Sequence, residues 1–339
     1  MVTIYDIAKQ ANVSAMTVSR VINNSGRISA KTREKVKRIM QEMNYVPNST
    51  ARSLVKQETK MLSLLITDIT NPFFTTLARG AEDAALKLGY KLLFGNSDEN
   101  LSKEREYVDM VLSTRVDGLL FAPSSDASAE HLAMLRLHQI PFVLIDREVP
   151  GVEADMVLGD NRDGALRLTE HLISLGHERI AFVNGSSTVS TARERSSGYR
   201  EALLKHGIRY DPELVMECRF NHFDDSDLLD RILALSEPPT AIFAANNVLA
   251  VSVIACLRDK GIGVPEQMSV ACFEDVGLAS RLDPFLTVAV QPAYEFGYRG
   301  IQLLVDRINR KDGEERQVVR FPSEMIVRKS TGKPRPPSS

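Results

Sequence analysis

From Met61 onward, short apolar runs alternate with longer amphipathic stretches, and the whole alternation occurs twice in succession. Apolar runs of strand length separated by helix-length segments mark βαβ units, which build a parallel sheet covered by helices on its faces. In the first series the expected strands are 62–67, 90–94, 118–122 and 142–145, with helices at 73–88, 101–113 and 129–137. In the second they are 180–184, 241–245 and 269–273, with helices at 165–175, 193–205 and 249–259. Two α/β lobes therefore follow one another along the chain.

The 60 residues ahead of this body differ in charge. They hold 11 Lys/Arg against 4 Asp/Glu, whereas the remainder holds 31 against 40, so a formal net charge of −2 conceals a basic head on an acidic body. A small basic domain suits a polyanionic partner, because each Lys or Arg that meets a phosphate releases condensed counterions. Thr3-Ile4-Tyr5-Asp6 reads as a capping box, in which Thr3 accepts from an early helical amide and Asp6 reaches back. Ile4, Ile7, Ala8 and Ala11 then lie on one helical face. Ser14 caps a second helix that turns Val18, Val21 and Ile22 inward, and a third helix opens near 29–32 with Val36, Ile39, Met40 and Met43 as its core stripe. Three short helices joined by tight turns make a helix-turn-helix head. With Val18, Val21 and Ile22 inside, a rotation of about 100° per residue leaves Ala15, Met16, Ser19, Arg20 and Asn23 outside, on the face that would enter a major groove. Arg20 can donate two hydrogen bonds to guanine, and Ala15 and Met16 can touch thymine methyls; Arg20 also reads as a phosphate contact or a solvated charge.

The run Thr3-Ile4-Tyr5-Asp6-Ile7-Ala8, followed by 13–23 (Val13-Ser14-Ala15-Met16-Thr17-Val18-Ser19-Arg20-Val21-Ile22-Asn23), resembles the head of the lactose-repressor family. The likeness continues through Tyr45-Val46-Pro47-Asn48-Ser49-Thr50-Ala51-Arg52-Ser53-Leu54, which is similar to that family's hinge. It implies base reading by Ala15, Met16 and Arg20, and an apolar wedge at Leu54 in the minor groove. The DNA-contact set expected on these grounds is Thr3, Ala15, Met16, Thr17, Ser19, Arg20, Asn23, Asn48, Ala51 and Leu54. The hinge reading also has a physical basis. Pro47 stops the third helix, Asn48 can cap another, and a segment this short should fray unless something packs against it. A plain linker is the other reading of the same residues.

The likeness covers essentially all of residues 1–330, including Asn71-Pro72-Phe73-Phe74, 176–181 and 198–203. It implies a periplasmic-binding-protein-like body of doubly wound parallel sheets, so the expected fold class is α/β with an all-α helix-turn-helix head. The expected domains are a head at 1–47, a hinge and linker at 48–60, an effector-binding and dimerisation body at 61–330, and a disordered tail at 331–339. Within the body, lobe one is expected at 61–160 and 292–320 and lobe two at 161–291 and 321–330.

Open parallel sheets bind ligands beyond the carboxyl ends of their strands, and polar residues recur at those ends here: Asp68, Asp146, Asn246 and Glu274-Asp275. Each also reads as a helix cap or turn residue. By position, the family likeness implies polar effector contacts at Asp146, Arg195, Asn246 and Glu274 and a stacking aromatic at Phe220. Asp68, Phe73 and Phe74 complete the expected cleft, the two phenylalanines being equally readable as core. The family usually has Asp where Glu274 stands. That difference implies a carboxylate one methylene further into the cleft and a smaller or differently shaped effector.

Other functions are disfavoured by what the residues omit. There is no Walker phosphate loop, no Gly-x-Gly-x-x-Gly turn and no convincing nucleophile-base pair, so neither an enzyme nor a bound cofactor is expected. Cys218, Cys256 and Cys272 have no metal-type spacing and are expected to be buried apolar residues, and His177 reads as structural. No apolar run spans a bilayer, and the first residues do not read as a signal peptide, so the expected location is the cytoplasm, without a membrane partner. The Pro-rich tail carries no leucine heptads, which points to a homodimer on a pseudo-palindromic double-stranded operator. The expected function is a sequence-specific repressor controlled by a small molecule between the lobes, of the sugar or sugar-derivative class. Control by a protein corepressor docking on lobe one is the alternative.

Overall fold

The computed structural model describes residues 2–45, 59–221, 226–310 and 315–335. The chain divides into two compact units, Met1–Thr59 and Lys60–Ser339.

In the first unit, helices α1 (Ile4–Ala11), α2 (Ala15–Ile22) and α3 (Ala30–Glu42) close around Ile7, Ala8, Ala11, Val18, Val21, Val36 and Ile39. Each helix begins at a hydroxyl cap, Thr3, Ser14 or Ser29, and α1 ends at Asn12 in the left-handed conformation, which Asn tolerates better than most residues. The capping box at Thr3 is complete: Asp6 accepts from the Thr3 amide at 2.8 Å and from its hydroxyl at 2.7 Å. Ile4, Ile22, Met40 and Met43 are only partly buried and pack around the edge of this core.

The second unit contains two six-stranded sheets. Sheet one has the order β11-β5-β4-β3-β1-β2, from β1 (Met61–Ile66), β2 (Lys91–Asn96), β3 (Gly118–Phe121), β4 (Phe142–Ile145), β5 (Asp155–Gly159) and β11 (Val318–Phe321), all parallel. Sheet two has the order β12-β10-β9-β8-β6-β7, from β6 (Ile180–Asn184), β7 (Val215–Glu217), β8 (Ala241–Ala244), β9 (Ser269–Phe273), β10 (Thr287–Val290) and the antiparallel edge strand β12 (Glu324–Ile326). Lobe one carries helices α4 (Pro72–Lys87), α5 (Leu101–Thr114) and α6 (Ala129–Leu137). Lobe two carries α7 (Asn161–Ser174), α8 (Ser190–Lys205), α9 (Ser226–Leu233), α10 (Asn247–Asp259) and the short α11 (Ala279–Leu282). Helix α12 (Ala293–Asn309) then brings the chain back to lobe one.

That return depends on glycine. A Cβ built on Gly80 of α4 would lie 2.0 Å from the Tyr294 carbonyl oxygen, and one on Gly297 of α12 would lie 1.9 Å from the Leu77 oxygen, so the two backbones touch where side chains would otherwise hold them apart. Gly297→Ala is therefore expected to cost about 2–3 kcal/mol through forced separation of α4 and α12. Urea unfolding measures it, and a cost under about 0.5 kcal/mol would contradict the contact.

Residues 331–335 differ from the expected disordered tail. Thr331 Oγ1 meets His171 Nε2 at 3.0 Å and Thr287 Oγ1 at 2.9 Å, and the Gly332 amide donates to Ser269 Oγ at 2.9 Å. Proline content suggested a loose end, but the polar groups of lobe two supply partners for this segment. His177 is part of the same arrangement, with Nδ1 2.8 Å from Thr240 Oγ1 and Nε2 2.9 Å from the Gly332 oxygen, and burial lowers its pKa. Cys272 is buried, whereas Cys218 and Cys256 are half-buried against the lobe-two core, a correction to their expected full burial.

Candidate functional site: the cleft between the lobes and the outer face of the head

Between the lobes, the carboxyl ends of strands from both sheets converge on a cleft. Seven of the eight expected residues line it: Phe73, Phe74, Asp146, Arg195, Phe220, Asn246 and Glu274. Asp68 does not. Its Oδ1 accepts from the Thr70 amide at 2.8 Å and hydroxyl at 2.6 Å, so it closes the turn after β1, the competing role for a short carboxylate at a strand end.

The two lobes present their carboxylates in the same way. Asp146 follows β4 with φ +66° and its amide donates to Val157 of the next strand at 2.9 Å; Glu274 follows β9 with φ +71° and its amide donates to Ala289 of the next strand at 2.8 Å. Positive φ is uncommon for residues with a Cβ and is tolerated where the surroundings enforce it. Here a bond to the neighbouring strand does so in both lobes.

Arg195, on α8, is held by three partners. Nε donates to Asn161 Oδ1 at 3.0 Å, Nη1 donates to the Ala245 oxygen at 2.6 Å, and the guanidinium lies 4.0 Å over the Phe273 ring. Burial lowers its pKa, while Asp146 and Glu274 act in the other direction. Burial also raises the Asp146 carboxyl, opposed by Arg147 and Arg195. Glu274 is pushed up to about 8 by burial, against the Gln291 side chain and the Arg195 charge, which both favour its ionised form. Gln291 donates to Glu274 Oε1 from its side-chain nitrogen at 2.8 Å and from its backbone at 3.2 Å. The carboxamide oxygen of Gln291 has no hydrogen-bond partner among the described residues.

Asn246 supports other groups. Its Oδ1 caps α10 by accepting from Leu249, and its Nδ2 donates to the Phe220 oxygen at 2.9 Å, which fixes the aromatic against Gly185. Phe73 and Phe74 form an edge-to-face pair at 5.2 Å and also belong to the lobe-one core, so both expected readings hold at once. Asn71, Arg147, Thr191 and Gln291 line the cleft as well and were not singled out in the sequence. Arg147 had a signal, since it adjoins Asp146. It pairs with Glu99 at 2.5 Å and stands 3.6 Å from Asp146. Burial pulls its pKa down, but Glu99 and Asp146 more than offset this.

The free space in the cleft is about 30 Å³. Contacts across it hold the lobes together: Asn247 Nδ2 donates to Asn71 Oδ1 at 3.0 Å, the Glu148 amide to Ser190 Oγ at 3.0 Å, and Arg193 to both oxygens of Asp126 at 2.7 and 3.1 Å.

On the head, α2 turns Val18 and Val21 inward and leaves Met16 65% exposed, with Arg20 exposed beside it. Ala15, Thr17, Ser19 and Asn23 are half-buried. Two expected contact residues have local tasks: Thr3 caps α1, and Thr17 Oγ1 lies 2.9 Å from the capping Ser14 hydroxyl. Tyr5 is 73% exposed and was not singled out from the sequence. Asn48, Ala51 and Leu54 lie outside the described residues. Among the described residues no cluster of three His, Cys, Asp or Glu could hold a metal ion, and no helix is long and apolar enough to cross a membrane.

The family description "Bacterial regulatory proteins, lacI family" matches residues 3–48, and "Periplasmic binding protein-like domain" matches 169–331. The chain is 38% identical to the HTH-type transcriptional regulator DegA of Bacillus subtilis (strain 168), covering 97% of this chain and 98% of that one. It is similar in structure to a transcriptional regulator CelR–cellobiose complex, at 29% identity and TM-score 0.73 over 97% of this chain and 100% of that one. It is also similar to the lac repressor dimer bound to operator and the anti-inducer ONPF, at 26% identity and TM-score 0.82 over 98% of this chain and 99% of that one. With its helix-turn-helix head and two-lobed body, the chain belongs to the lacI family of bacterial regulatory proteins: it is a DNA-binding transcriptional regulator and not an enzyme.

Proposed function

We propose that this regulator is a cytoplasmic homodimeric repressor that binds a pseudo-palindromic operator, and that a sugar or sugar derivative held between the lobes controls its grip. One observation carries the effector reading: Asp146, Asn246 and Glu274 at strand ends line one buried cleft together with Arg195, Phe73, Phe74 and Phe220, which gives it a guanidinium, two carboxylates and aromatic rings. Such groups suit adjacent hydroxyls and an apolar ring face. The CelR complex, which contains cellobiose, supports the same ligand class.

A cleft of about 30 Å³ admits roughly one or two waters, so an effector of sugar size binds with separation of the lobes. The angle between lobes is then what the effector changes, and operator affinity follows that change. A groove of about 340 Å³ beside edge strand β2, with Ile69 and Phe94 46% and 39% exposed, supports lobe one as the face for the second copy. A change of about 100-fold in operator affinity requires roughly 3 kcal/mol of differential binding between the two states.

The test is a fluorescence-anisotropy titration at fixed salt on an operator selected from random DNA, repeated with sugars and sugar acids. A compound that shifts affinity supports cleft control; specific DNA binding that no compound alters favours a protein corepressor. On the same operator Arg20→Ala is expected to cost about 1–3 kcal/mol and to relax base preference. Equal losses on cognate and random DNA would make Arg20 a phosphate contact instead.

A further inference from the structure

Lobe two contains a second cavity, of about 360 Å³, between α8 and the carboxyl ends of β6 and β7. It shares no lining residue with the interlobe cleft and offers about twelve times its free space. Asn184, Ser187, Arg193, Ser196, Arg200 and Glu217 supply its polar wall.

The wall has a definite chemistry. Asn184 is 7% exposed, and its Nδ2 donates to the Ala192 oxygen at 3.0 Å, which fixes the orientation of the carboxamide. Its Oδ1 is then a buried acceptor with no partner among the described residues. Glu217 is a second acceptor, with Oε1 taking the Ser187 amide at 3.1 Å. Acceptors of this kind call for hydroxyl donors. Arg193, Ser196, Ser197 and Arg200 follow the i, i+3, i+4, i+7 spacing and so share one face of α8, with a guanidinium at each end and hydroxyls between. Guanidinium groups pair with phosphate or carboxylate. Hydroxyl donors and an anionic group on one small molecule satisfy both halves of the wall.

Arg193 has a second task. It forms the two-pronged pair with Asp126 of lobe one, and the Asp126 amide donates to the Thr188 oxygen at 2.9 Å. The side chains of this pair are 36% and 37% exposed, so water and competing anions reach it. We propose that the cavity is a second small-molecule site, for a small polyhydroxylated anion, whose occupant opposes lobe closure by drawing Arg193 away from Asp126. The site stands independently of the cleft effector; only its effect on closure rests on the proposed role of the lobe angle.

The test is calorimetric titration of the full chain with sorbitol 6-phosphate and gluconate, using sorbitol as the neutral probe of the same skeleton. At least one anionic probe is expected to bind ten-fold or more tightly than sorbitol, and which one it is separates phosphate from carboxylate recognition. Glu274→Gln, in the cleft and away from α8, should leave that affinity within two-fold. Ser196→Trp, which fills the cavity, and Arg200→Glu, on the exposed face of α8, should each weaken it at least ten-fold. Asp126→Asn should strengthen it several-fold by releasing Arg193. A changed affinity in Glu274→Gln with none in Arg200→Glu would place the probe in the cleft, and absence of binding by both anions would remove the site. Unchanged affinity in Asp126→Asn would overturn the link to closure. Because binding is read directly, a failed operator response to cleft ligands leaves this result intact.

Discussion

Arg195→Ala is expected to abolish the effector's influence on operator affinity and to destabilise the body by about 3 kcal/mol. The residue is 5% exposed and joins two elements, because its Nε and Nη1 bonds tie α7 to the strand end after β8. Removing it leaves the Ala245 oxygen and Asn161 Oδ1 without their donor and removes a cation that favours ionised Asp146 and Glu274. A buried acceptor that loses its donor loses the compensation for its desolvation. Arg195→Lys should rescue stability only in part, because an ammonium cannot span two acceptors while stacking flat on Phe273. Thermal denaturation and anisotropy titration read the two effects separately. An alanine variant with an intact effector response would exclude Arg195 from the effector site.

Glu274→Gln is expected to stabilise the protein increasingly as pH rises from 5 to 8. The carboxyl has an ordinary pKa of 4.5 and is raised to about 8 in the folded chain. Below pH 4.5 both states are protonated and the substitution changes little. Between the two values the unfolded chain releases a proton that the folded chain retains. Wild-type stability then falls by up to about 1.4 kcal/mol per pH unit from this group, a slope that ends above the folded pKa. The carboxamide has no such slope and can still accept the Gln291 bonds. Thermal melts should show nearly equal midpoints at pH 5 and a glutamine variant at least about 5 °C higher at pH 8. A difference that does not change with pH would mean that Glu274 is ionised in the folded cleft throughout this range.

The elements easiest to read were those whose apolar residues are buried on a regular period. Strands 142–145, 180–184 and 269–273 were located to the residue, and capping hydroxyls marked the head helices. Strand β5 was missed because it follows β4 through Pro150-Gly151 with no intervening helix, so the βα rhythm gives no signal there. Strand β7 has three residues at a sheet edge, too few for a period to emerge. For the cleft, strand ends and family likeness together identified Asp146, Arg195, Phe220, Asn246 and Glu274. Asp68 stands at a strand end too but lines no part of the cleft and bonds Thr70 instead, because a turn and a ligand contact ask for the same short carboxylate.

The order of residues alone determined the alternation of strands and helices, the basic head and the chemical types at the strand ends, since each depends on local periodicity, caps or charge. Tertiary structure decided which strand ends face one another, that Asn246 secures Phe220, that Gln291 bonds Glu274 and that Arg193 reaches Asp126. These partners are 26, 17 and 67 residues apart. The first two form only once sheet two is assembled and the third only once the lobes have closed on each other, and no local pattern in the chain encodes them.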